Sequence, residues 1–539
     1  MSIRKSAETG VIRKRWRGRI PIALVFPNTY HVGMSNLGFR LVYETLNAYD
    51  EIVCERFFLP GENEPLRSVE TNRPLDDFKL IFFSVSFEAD LVNLVTILKL
   101  SGLSPLREKR KGNPPVIAGG IATWLNPDPF TPFVDGFFLG EIEAFAEELV
   151  NYLVDEKPLE NLSCYLSADY ELVFDEEGSL LEIKHPPVKR LIAERLDKPP
   201  LSGLLTKETE FSETYLLEVG RGCGRGCRFC AAGILYRPPR PWPKELLLSA
   251  LDEIPEGAKV GLVGLEFSST ETIEALGEAL LAKNCTVTFS SLRADALTES
   301  FVKLLACQRT ATIAPEAGSE TLRKVINKGL KEEDIISAAT LLGQAGIKAL
   351  KLYFMVGLPY ETQEDLEAIV KLSKKIRHNL DKETRPKGYV IDLRVSVASF
   401  VPKPHTPFQW APFEGVSTLK KKLNWLKREL RKISSTRFTS DLPKWAAFQA
   451  LMARGDRRLK KLILSMASGK NLNQALKELP LNPEFIIGRE RKREEVFPWE
   501  IVDLGVKKEF LWEEWQLAQK GKASPGCLLG RCKRCGACG

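Results

Sequence analysis

Three cysteines lie close together in the stretch RGCGRGCRFCAAG, residues 221–233, of a chain that has only 11 cysteines in 539 residues. Cys223, Cys227 and Cys230 have the spacing C-x3-C-x2-C and follow a predicted strand. Closely spaced thiolates can wrap one small inorganic cluster. A fully ligated four-iron cluster takes four cysteines, so three leave one iron open. The spacing therefore indicates a cluster with an exchangeable fourth ligand.

The same loop contains glycines and arginines that would suit a cluster, namely Gly222, Gly224, Gly226, Arg221, Arg225 and Arg228. Glycine permits close approach of the backbone, and cationic side chains favour thiolates over thiols. The alternatives are a zinc knuckle or free surface thiols. A structural zinc site usually has four protein ligands, so zinc would need Cys164 or Cys285 from elsewhere in the chain.

A second group of cysteines closes the chain. Cys527, Cys532, Cys535 and Cys538 have the spacing C-x4-C-x2-C-x2-C within the last 13 residues. Four thiolates at this spacing can ligate either a zinc ion or a second iron–sulfur cluster. The sequence alone leaves these two metals open.

Composition places these cysteines in a globular protein. Hydrophobic residues make up 44% of the chain and charged residues 27%, and the net charge is +7. The length predicts two to four domains. The N-terminus has no secretory signal pattern and no apolar run is long enough to span a bilayer, so we expect a cytoplasmic protein without a membrane partner. In that compartment clustered cysteines are more often metal ligands than disulfides.

The predicted fold class is α/β throughout most of the chain. Buried strands alternate with helical stretches in residues 20–155, which predicts an N-terminal doubly wound, Rossmann-like sheet in a domain at residues 1–155. Residues 156–211 form a linker with a β-hairpin that turns near Glu177 and Gly178. Six strands with helical crossovers follow in residues 212–415 and predict a partial (β/α)6 barrel of TIM type. Residues 416–539 form a basic helical region with the cysteine tail.

The cysteine loop and its predicted barrel resemble the radical S-adenosylmethionine (SAM) superfamily, including the aromatic Phe229 before the last cysteine. The resemblance implies that Cys223, Cys227 and Cys230 hold a 4Fe–4S cluster whose open iron binds SAM. It further implies an enzyme that cleaves SAM reductively to a 5′-deoxyadenosyl radical, with a reducing electron donor as partner and an unknown substrate. Such chemistry belongs to the cofactor, which the protein binds and orients.

Three further segments of the barrel resemble the SAM-binding parts of that superfamily. The resemblance implies contacts to SAM from the segments VGLEF, APEAGSETLRKVINKG and FMVGLP, at Gly264, Leu265, Glu266, Glu316, Ser319, Arg323, Gly357, Leu358 and Pro359. From the residues alone, the second segment is better explained as an N-capped helix that begins near Ser319, with Glu316 and Arg323 solvated, and the third is a turn after a strand.

Residues 20–155 resemble the cobalamin-binding domain that precedes the barrel in one subgroup of the superfamily. The resemblance implies that a corrin or its nucleotide tail would contact Ser84, Ser86, Gly119, Gly120 and Thr123. His31 lacks the surrounding ligand motif, so we do not expect it to bind cobalt. Cobalamin without a protein ligand and a domain that has lost the cofactor both stay open. With its cysteine tail, the chain resembles a subfamily that combines all three parts.

Basic residues crowd two C-terminal segments, at residues 420–432 and 457–461. RNA could dock on them, although such runs are more often a solvated helix face. The leading hypothesis is a radical SAM enzyme that modifies or methylates an RNA or protein. The alternative is a non-catalytic, zinc-containing nucleic-acid-binding protein.

Overall fold

The computed structural model describes residues 8–110, 112, 114–194, 197–264, 270–289, 293–305, 308–529 and 532–538. The chain divides into two compact units. The first contains the chain up to Tyr215 together with Leu451–Ile486 and Glu494–Gly505, and the second contains Leu216–Ala450, Ile487–Arg493 and Val506–Gly539.

The first unit is built on a six-stranded sheet. Its strands are β1 (Ile20–Phe26), β2 (Ile52–Phe58), β3 (Leu80–Ser84), β4 (Val116–Gly119), β5 (Gly136–Phe138) and β6 (Tyr165–Ser167). Their order is β2-β1-β3-β4-β5-β6, with parallel pairing throughout except between β5 and β6. The order 2-1-3-4-5 is that of a flavodoxin-like doubly wound sheet, which confirms the predicted fold class here.

Helices of the first unit connect these strands, and they are α1 (Tyr30–Met34), α2 (Leu37–Asn47), α3 (Leu91–Leu100), α4 (Ile121–Leu125) and α5 (Ile142–Val154). Strands β1, β3, β4 and β5 were predicted from their apolar runs, whereas β2 and β6 were not. The predicted hairpin is confirmed as antiparallel β7 (Glu171–Phe174) and β8 (Leu180–Lys184), with Gly178 at φ +90° in its turn. Strands β9 (Val188–Lys189) and β10 (Leu201–Ser202) complete this stretch.

The second unit contains the six strands predicted for the barrel, and two more. Its first group is β11 (Thr214–Arg221), β12 (Arg240–Pro241), β13 (Lys259–Gly264) and β14 (Thr286–Phe289), and its second is β15 (Thr310–Glu316), β16 (Ala349–Val356), β17 (Asp392–Ser399) and β18 (Thr436–Ser440). Neighbours in the second group are all parallel. Strand β18 lies in a region predicted as helical. Among the described residues the strands form two sheets, with β14 at an edge of one and β15 at an edge of the other.

Helices of the second unit follow most of these strands. They are α6 (Ala232–Leu235), α7 (Lys244–Ala250), α8 (Thr270–Ala282), α9 (Glu299–Lys303), α10 (Glu320–Val325), α11 (Glu332–Gln344), α12 (Gln363–Thr384) and α13 (Val416–Leu430). Strand β17 alternates between buried and more exposed positions, as expected for a strand with one face in the core.

The C-terminal part of the chain is mostly helical, as predicted. It contains α14 (Pro443–Arg454), α15 (Lys460–Met466), α16 (Leu472–Leu476), α17 (Pro483–Ile487), β19 (Val502–Asp503) and α18 (Lys508–Gln519). Short 3-10 helices lie at Leu75–Asp77, Glu88–Asp90, Arg107–Lys109, Asp128–Phe130, Leu159–Asn161, Leu251–Glu253, Ala294–Ala296, Arg385–Lys387, Pro407–Trp410, Arg457–Leu459 and Pro498–Ile501. Within the described ranges, no helix is both long and apolar enough to cross a membrane.

Candidate active site

The three-cysteine loop begins where β11 ends, at Arg221. Gly222 has φ +81°, and a Cβ there would lie 2.5 Å from the carbonyl oxygen of Tyr236. Only glycine can make this turn. Cys223, Cys227 and Cys230 are half-buried, and none forms a disulfide. The three cysteines therefore lie on one short loop that begins with this turn, beyond the carboxyl end of β11.

The thiols lie within electrostatic reach of each other. Burial raises the pKa of Cys227 to about 11, against the opposing charge of Lys328. Burial also raises the pKa of Cys230, which feels Cys223 and Glu316 as neighbouring acidic groups. Without a metal the thiols of Cys227 and Cys230 therefore hold their protons, and a metal that binds them would release those protons.

Each arginine of the loop is paired with a carboxylate. Arg221 lies 3.0 Å from Glu218, Arg225 lies 3.4 Å from Asp295, and Arg228 lies 3.0 Å from Glu514. Each of these charges is thus already paired, and the effect of the arginines on a bound cluster stays a prediction.

Lys328 is a further cation near the cysteines, and sequence reasoning missed it. The positive charge of Lys328 partly opposes the rise in the pKa of Cys227 that burial causes. The Lys328 Nζ lies 5.9 Å from the ring centroid of Phe229 and donates to the Glu316 carboxylate at 3.0 Å. The feature of the sequence that could have pointed to Lys328 is its place in the segment VINKG, three residues after α10 ends. Spacing does not reveal that α10 carries this lysine back to the cysteine loop.

Glu316 is the last residue of β15 and has φ +66°. A non-glycine residue in this region is strained, and such strain concentrates at functional sites. The register between β15 and β16 shifts between Ile313 and Glu316. Among the described residues predicted to contact SAM, Glu316 lies close enough for its charge to act on Cys227 and Cys230.

Buried contacts hold the loop from beneath. The Arg228 side chain is fully buried and donates to the carbonyl oxygens of Lys324 at 3.1 Å and Val325 at 2.8 Å. The Asn327 side chain donates to the Gly226 carbonyl oxygen at 3.1 Å. These bonds fix the loop against the end of α10.

Ser319 and Arg323 have structural contacts of their own. Ser319 caps α10 by accepting from the Leu322 N–H at 3.0 Å, which confirms the helix start expected from sequence. Arg323 is buried and donates to the carbonyl oxygens of Ala317 and Gly318 at 2.9 and 3.0 Å. Their role in binding SAM stays a prediction.

The remaining predicted SAM contacts lie at two strand ends. Gly264 ends β13, whereas Leu265 and Glu266 lie outside the described residues. Gly357 follows β16 with φ +80°, and a Cβ there would lie 2.8 Å from Leu419. Leu358 is buried, and Pro359 follows it. Gly357 therefore serves close packing, and adenine binding by this turn stays a prediction.

The predicted cobalamin contacts of the first unit do gather at neighbouring strand ends. Ser84 and Gly119 are register partners at the ends of β3 and β4. Gly120 has φ +101°, and a Cβ there would lie 2.6 Å from the Val85 carbonyl oxygen. Thr123 is fully buried and donates to the Gly120 carbonyl oxygen at 2.8 Å.

Several of these residues already make contacts within the first unit. The Ser86 hydroxyl accepts from Asn36 at 3.0 Å. His31 faces Glu210 at 3.7 Å and is exposed. Contact of these five residues with a corrin stays a prediction, and no step through cobalamin is derived from them.

The cysteine tail lies against the cysteine loop within the second unit. The Cys527 N–H donates to the Gly224 carbonyl oxygen at 2.6 Å, and the Lys507 N–H donates to the Cys535 carbonyl oxygen at 2.9 Å. Burial raises the pKa of Cys527, which also feels the other three tail cysteines. Within the described residues, no three Cys, His, Asp or Glu side chains converge on a single metal ion.

The basic segments are partly neutralised. In the second unit, Lys422 lies 2.7 Å from both Glu361 and Glu414. In the first unit, Arg457 lies 2.6 Å from the buried Asp128. Part of each segment is therefore structural, and RNA binding there stays a prediction.

Comparisons with known proteins identify the superfamily. A family model for the N-terminal part of radical SAM proteins matches residues 38–163, and the radical SAM superfamily model matches residues 217–373. An uncharacterized protein of Methanocaldococcus jannaschii is 31% identical over 469 residues, which are 85% of this chain and 94% of that protein. An uncharacterized methyltransferase of Pyrococcus horikoshii is 24% identical over 280 residues, 48% of this chain and 58% of that protein.

Solved structures give weaker likenesses. A radical SAM methyltransferase of Kitasatospora setae, TsrM, covers 72% of this chain and 74% of its own at 14% identity and a TM-score of 0.46. The cobalamin-dependent SAM radical enzyme OxsB covers 93% of this chain and 79% of its own at 16% identity and a TM-score of 0.46. Because these TM-scores lie below 0.5, the assignment rests on the family models and the long relative. The chain belongs to the radical SAM superfamily and is an enzyme of that class.

Proposed function

We propose that Cys223, Cys227 and Cys230 ligate the 4Fe–4S cluster of this enzyme and that SAM completes the coordination of its open iron. When bound, the cluster supplies the single electron that breaks the S–C5′ bond of SAM. The single observation that carries the proposal is the group of three interacting, half-buried thiols on a glycine turn at the end of β11.

The donor set supports an iron–sulfur cluster. Three thiols with no fourth ligand in the loop match a cluster that keeps one iron for an exchangeable partner. Lys328 would offset part of the negative charge of a bound cluster, since its charge already acts on the Cys227 thiol. Arg228 and Asn327 hold the loop in place through the carbonyl oxygens that they contact.

Glu316 is proposed to orient SAM. Its carboxylate is held by Lys328 at 3.0 Å at the strained end of β15. A carboxylate at this position can accept hydrogen bonds from the ribose hydroxyls or the amino group of SAM. Glu316→Gln would keep the shape and remove the charge, so we expect weaker SAM binding with the iron content unchanged.

Methyl transfer is the finer proposal for the reaction. It is supported by the printed name of the Pyrococcus horikoshii relative, a methyltransferase that matches about half of this chain. Methyl transfer would yield S-adenosylhomocysteine beside 5′-deoxyadenosine, and mass spectrometry separates the two products. A low-potential one-electron donor is the partner that reductive cleavage requires.

An RNA substrate would use the exposed lysines of α13, Lys420, Lys421 and Lys427. Phosphate contacts make binding strongly dependent on salt. We expect the affinity for single-stranded RNA to fall steeply between 50 and 200 mM salt, as is usual for phosphate contacts. Salt-independent binding, or none, would favour a protein substrate.

The proposed function is tested by anaerobic reconstitution with iron and sulfide, followed by SAM and dithionite. We expect 5′-deoxyadenosine from the intact chain and from Cys285→Ala, which removes a buried cysteine outside the loop. The variant with Cys223, Cys227 and Cys230 all changed to alanine should form none. Equal product from that triple variant would contradict the proposal.

A further inference from the structure

The parallel sheet β15–β18 of the second unit has two faces of different character. On β16, Leu350, Leu352 and Phe354 are buried, whereas Lys351 and Tyr353 between them are more exposed. The buried face packs on helices, with α11 next to β15 and α13 next to β16 and β18. Parallel sheets are normally covered on both faces. The second face, which carries Lys351 and Tyr353 and is called the open face below, is therefore available to a ligand.

The open face is also the face of β15 that carries Glu316, the residue proposed to orient SAM. Along β15, Thr312 and Glu316 are half-buried and alternate with positions that are buried, such as Ala311 and Ile313. Thr312 is the register partner of Lys351 on β16. The proposed SAM contact therefore lies at the carboxyl end of the open face, and Lys351 lies nearer to the start of the strands.

Three cations occupy one row across the open face. Lys351, Arg394 and Arg437 are register partners on β16, β17 and β18, and they are called the cation row below. The side chains of Arg394 and Arg437 are 44% and 74% exposed, so a ligand can reach both guanidinium groups. The Lys351 Nζ lies 4.5 Å from the ring centroid of Tyr353, on the same face.

A single carboxylate, that of Asp392, is shared by two members of the cation row. Its Oδ2 accepts from the Arg394 Nε at 2.8 Å, and its Oδ1 lies 3.1 Å from the Arg437 Nε. Both contacts are made through Nε, which leaves the Nη donors of each guanidinium for a further acceptor. Three positive charges against one negative charge leave a net charge of +2 at the row.

The open face changes character between the cation row and the ends of the strands. Tyr353, Ser396 and Thr439 form a row in register that offers three hydroxyl groups. Beyond it, Met355 and Ala398 form an apolar register pair. A molecule that lies along this face would therefore meet positive charge at one end and apolar groups at the other.

The strand register gives the distance between the cation row and the proposed SAM contact. Glu316 is in register with Phe354, three residues beyond Lys351 on β16. At about 3.3 Å per residue, these two levels of the sheet are about 10 Å apart. A ligand that is anchored at the cation row must therefore extend by about this length to reach SAM.

From these observations we propose that the cation row binds the phosphate group of a phosphomonoester substrate, which lies along the open face toward Glu316. This role rests on the proposed function. A phosphomonoester carries a charge of about −1.5 to −2 at pH 7, which balances the row, whereas a carboxylate carries half as much. Guanidinium groups bind phosphate through paired N–H donors. The carbon that reacts would lie about 10 Å from the phosphate.

Calorimetric titration with inorganic phosphate tests the cation row without relying on enzyme activity. The intact, anaerobically reconstituted chain should bind phosphate, and Arg394→Gln should weaken the binding at least about tenfold, because a hydrogen bond to a charged group is lost. Arg394→Lys keeps the charge and should bind phosphate more tightly than Arg394→Gln does. The matched control is Arg385→Gln, at an exposed arginine paired with Asp381 outside the open face, which should keep the intact affinity.

The outcomes separate this inference from the proposed function. Equal phosphate affinity in the intact chain and in Arg394→Gln, or no phosphate binding by the intact chain, would overturn the role of the cation row. Tighter binding of acetate than of phosphate would overturn the assignment of a phosphomonoester. Phosphate binding by an intact chain that forms no 5′-deoxyadenosine from SAM would contradict the proposed function instead.

Discussion

Two strand-end loops of this protein each contain a glycine with positive φ but differ in their chemistry. The loop after β11 and the loop after β4 each follow a strand and depend on a glycine with positive φ, Gly222 and Gly120. After β11, three thiols remain half-buried beside Lys328. After β4, the Thr123 hydroxyl and both glycines are used in packing. A glycine at a strand end therefore indicates only a tight turn. A binding site is indicated by the neighbouring side chains, such as the three thiols of the cysteine loop.

The largest expected effect separates these two loops in one assay. Cys227→Ala should lower 5′-deoxyadenosine formation at least about a thousandfold, because the cofactor carries the chemistry. Thr123→Val removes a buried hydroxyl in the first unit and should leave that rate within about twofold. Equal losses of 5′-deoxyadenosine formation in the Cys227 and Thr123 variants would contradict this distinction between the two loops.

The next effect concerns the stability of the cysteine loop. Arg228→Gln removes one member of the buried pair with Glu514 and should lower the free energy of unfolding by about 3–5 kcal/mol. Arg225→Gln is the matched control, because its pair with Asp295 is more exposed and is worth at most about 1 kcal/mol. Denaturant unfolding measures both. Equal losses would contradict the buried role assigned to Arg228.

The loop after β4 should respond to a change in backbone. Gly120→Ala places a Cβ 2.6 Å from the Val85 carbonyl oxygen at φ +101°. Strain in this region alone costs about 1–3 kcal/mol, and the clash adds to it. Gly203→Ala, where nothing lies within 4 Å of a new Cβ, should change stability by less than about 1 kcal/mol. A tolerated Gly120→Ala would show that the turn is more open.

The smallest expected effect is a pH dependence of the first unit. Burial raises the pKa of Glu44 from 4.5 to about 7, so the folded state binds the proton more tightly. Its contribution is fully present below about pH 4.5 and is lost as the pH rises through 7.

Glu44→Gln should therefore raise stability at pH 8 relative to the intact chain, by about 1–2 kcal/mol after allowance for its partial exposure. At pH 4 the two proteins should be alike. Burial shifts the pKa of Asp90 in the same direction, so some pH dependence should persist. Urea midpoints at the two pH values measure the change, with the exposed Glu51→Gln as control. The same difference in stability between Glu44→Gln and the intact chain at pH 4 and at pH 8 would contradict the raised pKa assigned to Glu44.

Strands with uninterrupted apolar runs were predictable from sequence, as β1, β3 and β16 show. Strand β2 was missed because "IVCERFF" places Glu55 and Arg56 inside an apolar run. Arg56 is nevertheless fully buried, since Glu8 and Glu70 neutralise it at 2.8 and 2.6 Å. Glu70 is 14 residues away along the chain, and a pattern of neighbouring residues cannot reveal such a partner.

The candidate site was predictable where its spacing is local. The cysteine loop, its glycines and the helix that begins at Ser319 follow from neighbouring residues. Lys328 and Glu514 could not be found in this way, because they meet the loop only after α10 and α18 have folded against it. The pairing of the loop arginines was missed for the same reason.

The most direct test of the central claim is the effect of SAM on the reduced cluster of the loop. Electron paramagnetic resonance of the anaerobically reconstituted chain should give a signal that SAM changes, in the intact protein and in Cys285→Ala. The variant lacking Cys223, Cys227 and Cys230 should retain no signal that responds to SAM. An iron-loaded intact chain whose spectrum SAM leaves unchanged would contradict an open iron at this loop.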